Sequence, residues 1–120
     1  MNNTTPASLI EYLMQARARR DIDAVLACYE PDATLVLQSG ETEQGLDAIR
    51  IFSEKVMDLP LQFSDRKFIQ GSGITVHNSN WKLSLPKEKG ELEEITGKTV
   101  DIIRQQVDGS WLLAIDNPWA

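Results

Sequence analysis

An Asp-Gly pair near the C-terminus, Asp108-Gly109, constrains the fold of this 120-residue chain more than any other feature. Strand-like runs lie on both sides of it, over residues 99–107 and 110–116. Asp-Gly between such runs is a strong hairpin signal, because both loop positions of a type I′ turn need a positive φ. A two-residue loop pairs Val107 with Ser110, and the same register pairs Asp101 with Asp116.

The predicted Asp101–Asp116 pair is the first candidate site. Side chains directly opposed on one sheet face lie about 5 Å apart at Cβ, and like charges at that separation destabilise the sheet. The pair therefore needs solvent, a bound cation or a shared proton, and a shared proton would make a small acid/base site. Two solvated aspartates on a wet face are the alternative. An error of one residue in the turn would put the two side chains on opposite faces.

The charge and the metal-ligating residues of the chain argue against some classes of partner. The net charge of −6 argues against a nucleic-acid surface, which needs a basic patch. The one basic cluster is formed by Arg17, Arg19 and Arg20. It is predicted to interact favourably with the negative C-terminal end of a helix dipole. With one cysteine (Cys28) and one histidine (His77), a zinc site would need mostly carboxylates, which is an unusual ligand set.

Length and hydropathy indicate one compact domain over residues 1–120. We expect a cytoplasmic protein, because the sequence contains no recognisable secretory signal and no apolar run long enough to span a membrane.

Periodicity predicts helices in the first half of the chain and strands in the second. The predicted helices cover 7–19, 22–29 and 46–57, and the predicted strands cover 33–38, 61–70, 74–85, 92–107 and 111–117. Gly97, inside a strand, indicates a bulge or bend. Helices that cover one face of a curved sheet give a two-layer α+β domain, with space for a small ligand between the layers.

Three segments of the chain resemble the nuclear transport factor 2-like superfamily, and the SnoaL-like and ketosteroid isomerase-like proteins in particular. Residues 21–34 resemble its opening helix-to-strand motif, 45–50 its G-x-x-A-I-R segment, and 107–113 its final x-D-G-x-W hairpin. The resemblance implies a cystatin-like cone, in which a curved antiparallel sheet wraps around N-terminal helices and encloses an apolar pocket. It also implies a homodimer. Because such proteins include enzymes and binding modules, the fold does not settle the function.

The steroid isomerase residues carry over only in part. The position of the general base holds Leu37 in this chain. The oxyanion-hole tyrosine falls beside Leu13, and Tyr12 is one residue away, which is about 100° around the helix. The second oxyanion donor matches Asp101, in a D-x-x-R context with Arg104. The resemblance therefore implies that the Asp101 face points into the pocket, and Asp116 with it.

Other candidates share this predicted pocket. His77 titrates in a range that suits proton transfer, although a surface or dimer-interface position is the alternative. Six further residues are predicted to bind a ligand: Tyr12, Trp81, Thr99, Ile103, Ala114 and Trp119.

Two hypotheses of function follow. The first is an acid/base enzyme of isomerase, dehydratase or cyclase type, acting on a small, largely apolar carbonyl compound. In it Asp101 stabilises an oxyanion and Asp116 is the partner acid or base. The second is a non-catalytic ligand-binding or dimerisation module, which Leu37 favours. A third possibility is a fold whose pocket is filled by side chains such as Phe63 and Trp81. No cofactor and no metal are implied, because the sequence has no phosphate-binding glycine loop and no cluster of metal ligands.

Overall fold

A computed structural model describes all residues from 1 to 120 and contains three helices and one six-stranded sheet. In chain order the elements are α1 (Pro6–Ala18), α2 (Ile22–Leu26), β1 (Tyr29–Val36), β2 (Thr42–Gln44), α3 (Leu46–Met57), β3 (Leu61–Gln70), β4 (Ile74–Pro86), β5 (Leu92–Gln105) and β6 (Trp111–Asn117). The strand order in the sheet is β2-β1-β6-β5-β4-β3. Neighbouring strands are antiparallel except for β1 and β6, which run parallel. The predicted two-layer α+β class is confirmed, with a curved, unclosed sheet packed against the helices.

Local sequence explains where α1 begins. The Ser8 backbone N–H donates to Thr5 Oγ1 and the Thr5 backbone N–H donates to Ser8 Oγ, each at 3.0 Å. This reciprocal capping box satisfies two backbone donors that the helix leaves free. Pro6 follows at the first helical position, where its missing N–H costs nothing.

The start of β1 differs from the prediction. Helix α2 ends at Leu26 rather than near Tyr29, and Tyr29 already pairs with Leu113 of β6. Pro31 lies inside β1, where the register between β1 and β6 is interrupted from Tyr29 to Thr34. Its missing N–H therefore removes no bond from the ladder, and a proline that looked like a helix stop is tolerated inside a strand.

Gly97 has a different role from the predicted bulge. The β4–β5 ladder runs without a register shift from Ile74↔Arg104 to Pro86↔Leu92, and Gly97 faces Trp81 within it. A Cβ at position 97 would overlap the Trp81 indole ring. Gly97 therefore provides the space in which the indole lies against the backbone of β5.

The β5–β6 hairpin has a three-residue loop instead of the predicted two. Gly109 N–H donates to Gln106 O at 3.0 Å, and Gln106 N–H donates to Ser110 O at 2.7 Å. Gly109 has a φ of +88°, as expected where a turn is followed by a glycine bulge. A second irregularity between Ile102 and Ile103 shifts the register back by one residue.

The apolar core lies between the helices and the sheet. It joins side chains of α1, α2, β1, α3, β5 and β6, among them Leu9, Leu13, Val25, Leu35, Ile49, Ile103 and Leu113. No helix of the protein combines the length and the apolar character needed to cross a membrane.

Candidate functional site

A cavity of about 470 Å³ lies between the helices and the sheet. Its walls are largely apolar, with Ile10, Leu13, Met14, Phe52, Val56, Leu59, Leu61, Phe63, Trp81, Leu83, Pro118 and Trp119. Its polar lining consists of Arg17, Gln38, Lys55, Arg66, His77, Ser79, Thr99, Asp101 and Asp116. An apolar cleft with a few convergent polar groups is the usual form of a small-molecule site.

Six of the nine predicted site residues line this cavity: Asp101, Asp116, His77, Trp81, Thr99 and Trp119. The other three do not. Tyr12 lies on a neighbouring face of α1, with the Arg19 guanidinium 5.5 Å from its ring centroid, while Leu13 faces the cavity. Ile103 is fully buried in the core. Ala114 has no partner in the β5–β6 ladder, because it is the extra residue at the register shift.

Asp116 belongs to a buried hydrogen-bonded chain. The Tyr29 hydroxyl donates to Asp116 Oδ2 at 2.6 Å, and Arg17 Nη2 donates to the Tyr29 hydroxyl oxygen at 3.3 Å. Burial raises the pKa of Tyr29 well above its usual value, and the charge of Asp116 raises it further, so the hydroxyl keeps its proton and donates it. The carboxyl group of Asp116 thus has a built-in donor and a nearby cation.

Asp101 faces Asp116 in the sheet, and each is only 5% exposed. Burial raises the pKa of Asp101 well above its usual value, and the negative charge of Asp116 adds to this. The opposing effect of the Arg17 cation is smaller. Burial and the neighbouring carboxyl group therefore both favour the protonated form of Asp101.

His77 is the second partner of Asp101. Its Nδ1 lies 3.0 Å from Asp101 Oδ2, which is the distance of either a hydrogen bond or an ion pair. Burial lowers the pKa of His77 to about 4, and the nearby Arg66 cation contributes in the same direction. These two shifts favour a neutral His77 and a protonated Asp101, and between neutral groups this contact is a hydrogen bond.

Two polar atoms of this pair have no partner. Asp101 Oδ1 and His77 Nε2 are buried without a hydrogen bond of good geometry, although the Asp116 carboxyl group and the Asn117 backbone lie close to the Asp101 carboxyl group. Buried polar atoms are nearly always hydrogen-bonded, so a pair of exceptions on linked residues needs an explanation. Both residues line the cavity, where a ligand with a polar group would supply the missing partner.

Sequence reasoning missed Arg17 and Tyr29. Arg17 was assigned to the helix dipole, and Tyr29 was not among the predicted site residues. A signal for Arg17 existed, because it follows Ile10, Leu13 and Met14 at helical spacing and so continues the apolar stripe of α1. A charged residue in such a stripe points towards the interior.

The C-terminal segment forms part of the cavity wall. Trp81 Nε1 donates to Pro118 O at 2.7 Å, and the Trp81 and Trp119 rings meet edge to face with centroids 5.7 Å apart. Ala120 N–H donates to Lys98 O at 3.0 Å. Residues 118–120 are thus held against β4 and β5 beside the cavity.

Comparison with known proteins gives the fold a name. Neither the protein-family models nor the curated proteins include a match to this chain. Among solved structures, an NTF2-like protein of unknown function from Pseudomonas putida superposes with a TM-score of 0.73 at 19% identity, covering 95% of this chain and 82% of that one. The chain has the nuclear transport factor 2-like fold. A ketosteroid isomerase-like protein from Erwinia carotovora atroseptica has a TM-score of 0.75 at 18% identity, covering 98% and 95% of the two chains.

A third structural neighbour is the CaMKII hub of S. rosetta, with a TM-score of 0.76 at 13% identity, covering 92% of this chain and 90% of the hub. The resemblance that the sequence motifs indicated is confirmed at the level of fold. Since the neighbours differ in their described functions, the function of this chain has to be argued from its own cavity.

Proposed function

We propose that this protein is an acid/base enzyme that enolises a small, largely apolar carbonyl compound in the cavity. The observation that carries the proposal is the pair of buried, unpartnered atoms, Asp101 Oδ1 and His77 Nε2, on two hydrogen-bonded residues of one cavity. Asp101 Oδ1 can donate a hydrogen bond to a substrate oxygen, and His77 Nε2 can accept a proton.

Asp101 is the proposed oxyanion donor. Burial and the negative charge of Asp116 raise the pKa of its carboxyl group, which favours the protonated form, and Oδ1–H can then donate to the carbonyl oxygen of a substrate. Its other oxygen, Oδ2, then accepts from the Nδ1–H of His77 at 3.0 Å. A neutral acid that donates into an apolar site stabilises the negative charge that develops on the substrate oxygen.

His77 is the proposed base. With its proton on Nδ1, the ring presents a free lone pair at Nε2. That nitrogen takes a proton from the carbon next to the carbonyl group. The electron pair of the C–H bond becomes the C=C bond of the enolate, and the carbonyl π pair moves to the oxygen held by Asp101. Return of the proton to another carbon completes an isomerisation. A pKa of about 4 keeps His77 in its accepting form at pH 7.

Asp116 takes a different role from the one predicted for it. Its Oδ2 accepts from the Tyr29 hydroxyl at 2.6 Å, so this oxygen is already engaged. We assign it as a positioning residue, whose negative charge keeps the proton on Asp101. Tyr29 and Arg17 hold it in place.

Binding without chemistry is the alternative. The observation that favours it is Leu37, which packs against the core at the position where the resemblance expects a general base. In that case the cavity holds an apolar ligand, and the Asp101–His77 pair only hydrogen-bonds its oxygen. The expected homodimer stays a prediction for either case, and light scattering of the purified protein would measure it.

Deuterium exchange separates the two functions. We expect the protein to accelerate incorporation of deuterium next to the carbonyl group of 3-cyclohexenone or 2-hexanone in D₂O, followed by NMR. D101N should lower the exchange rate by about 10²–10³-fold, the usual cost of losing an oxyanion donor. H77Q should abolish the exchange, and D108N, which changes an exposed carboxyl group, should leave it unchanged. Ketone binding without any exchange would favour the binding module.

A further inference from the structure

The cavity of this acidic protein is lined by cations. The chain has a net charge of −6, yet Arg17, Lys55 and Arg66 line the cavity against only two carboxyl groups, Asp101 and Asp116. Three cations against two carboxyl groups give the cavity a net positive charge. None of the three cations forms a salt bridge with an acidic side chain. The sign of the cavity is therefore opposite to that of the rest of the molecule.

A β-bulge in β3 produces part of this charge. Ser64 pairs with Asn80 and Lys67 with Asn78, so Asp65 and Arg66 together face a single residue of β4. Asp65 adopts a φ of +54°, a left-handed conformation that is uncommon outside glycine. Bulges of this kind re-aim a side chain and recur beside functional sites.

The bulge places an arginine instead of an aspartate on the cavity wall. Leu61 and Phe63 line the cavity, so regular alternation would place Asp65 next on the same face. Instead, Asp65 accepts a hydrogen bond from Asn80 Nδ2 at 2.9 Å, and Arg66 lines the cavity. Arg66 is also close enough to His77 to lower its pKa.

The other two cations come from helices. Arg17 lies in the last turns of α1 and has a buried, unpartnered Nε, and Lys55 lies in the last turn of α3. Both helices present their C-terminal halves to the cavity, where the helix dipole is negative. Affinity for an anion therefore depends on these side chains and not on free backbone N–H groups.

We propose that the ligand of this cavity carries a carboxylate group, and that Arg66 and Lys55 select it at the cavity mouth. Both side chains are exposed and unpaired, so they can reach an anion without losing another partner. The apolar walls suit a hydrocarbon body, and the ligand class is an apolar oxo acid with its carbonyl oxygen at Asp101. The position of the carbonyl rests on the proposed function, whereas the preference for a carboxylate does not. A cavity of one charge sign also steers oppositely charged ligands towards itself.

A matched pair of probes isolates the charge. 4-Phenylbutyrate and 4-phenylbutyramide have the same hydrocarbon body and head groups of similar size, but only the first is charged. Binding is followed by NMR at the Trp81 indole N–H in the full chain. We expect the carboxylate to bind about tenfold more tightly at low salt, with the preference falling as salt screens the exposed cations. R66Q and K55Q should each reduce the preference, and the double variant should remove it. K67Q changes a neighbouring cation that does not line the cavity, and it should behave as wild type.

Three results would overturn the proposal: equal binding of the two probes, no binding of 4-phenylbutyrate at millimolar concentration, or an unchanged carboxylate preference in the double variant. An unshifted Trp81 indole resonance in each free variant checks that the fold is retained. If the wild-type protein prefers the carboxylate but catalyses no deuterium exchange, only the enzyme proposal is rejected. If it catalyses exchange but does not prefer the carboxylate, only the proposed carboxylate ligand is rejected.

Discussion

Asp101 and Asp116 are cross-strand partners because two irregularities of the β5–β6 hairpin cancel. The three-residue loop shifts the pairing by one residue, so that Gln105 faces Trp111. The bulge at Ala114 shifts it back before the strands reach the carboxyl groups. With the loop alone, Asp101 would face Ile115, and the carboxyl groups would point to opposite sides of the sheet.

The coupling of the two carboxyl groups predicts an abnormal titration. NMR of the side-chain carboxyl carbons should show Asp101 titrating well above its usual pKa of 3.8. In D116N the pKa of Asp101 should fall, because one negative charge is gone, but it should stay above 3.8, because burial remains the largest cause. Asp108 is an internal control, since its hydrogen bonds from the Ser110 hydroxyl and backbone N–H lower its pKa. An Asp101 that titrates normally in the wild type would contradict a buried, coupled pair.

The pH dependence of stability should reveal compensation between Asp101 and His77. Folding lowers the pKa of His77 from 6.5 to about 4, so the unfolded chain binds more protons there and His77 makes stability rise with pH across this window. Folding raises the pKa of Asp101, so this group makes stability fall as the pH rises above 3.8. In the wild type the two slopes oppose each other between pH 4 and 6.5.

Single variants should separate the contributions of His77 and Asp101 to the pH dependence of stability. The stability of D101N should rise as the pH rises from 4 to 6.5, by up to about 3 kcal/mol if the full His77 shift remains. H77Q should show the opposite trend. Urea unfolding at several pH values across the window measures both. Parallel curves for the wild type and the two variants would mean that neither group changes its pKa on folding.

The Tyr29 hydroxyl should contribute strongly to stability. Y29F removes the 2.6 Å hydrogen bond to Asp116 and the acceptor of Arg17 Nη2. The loss should be about 2–3 kcal/mol, because it leaves a buried charged group without its donor. Y12F is the matched control, since Tyr12 lies outside this network, and it should cost less than about 0.5 kcal/mol. Equal losses in the two variants, measured by chemical denaturation, would argue against a structural role for the network.

Gly97 should be intolerant of alanine. A Cβ there overlaps the Trp81 ring, which must move and weaken its hydrogen bond to Pro118 O. G97A should cost about 1–3 kcal/mol by overpacking and should shift the indole N–H resonance of Trp81. At Gly71 an added Cβ makes ordinary contact with Ile74, so G71A should be nearly neutral. A normal Trp81 resonance in G97A would show that the indole is not held against Gly97.

Periodic patterns predicted most of the fold. The bounds of α3, β3 and β6 agree with the prediction, since turn residues bracket each of them, although the apolar alternation of β3 is imperfect. Strand β2 was missed because its three residues are all exposed and carry no pattern. It exists only because the chain pairs with β1 there.

The candidate site was harder to predict than the fold. Asp101 and Asp116 were paired correctly, but from a loop of the wrong length, because nothing in the sequence of β6 marks Ala114 as a bulge. Arg66 was not among the predicted site residues, and simple alternation along β3 would have placed Asp65 on the inner face instead. Bulges and long-range packing decide which side chains enter the cavity. The regular alternation of side chains along a strand does not predict either of these effects.

The hydrogen bond between Tyr29 and Asp116 joins residues that are 87 positions apart, and it bridges the parallel pair β1 and β6. Parallel pairing of the first and last long strands requires closure of nearly the whole chain, which is slow compared with hairpin formation. During synthesis the cavity therefore stays incomplete until β6 leaves the ribosome, because the Arg17–Tyr29 pair lacks its acceptor, Asp116, until then. Any activity of the site should appear late in folding and all at once, which makes it a reporter of complete folding.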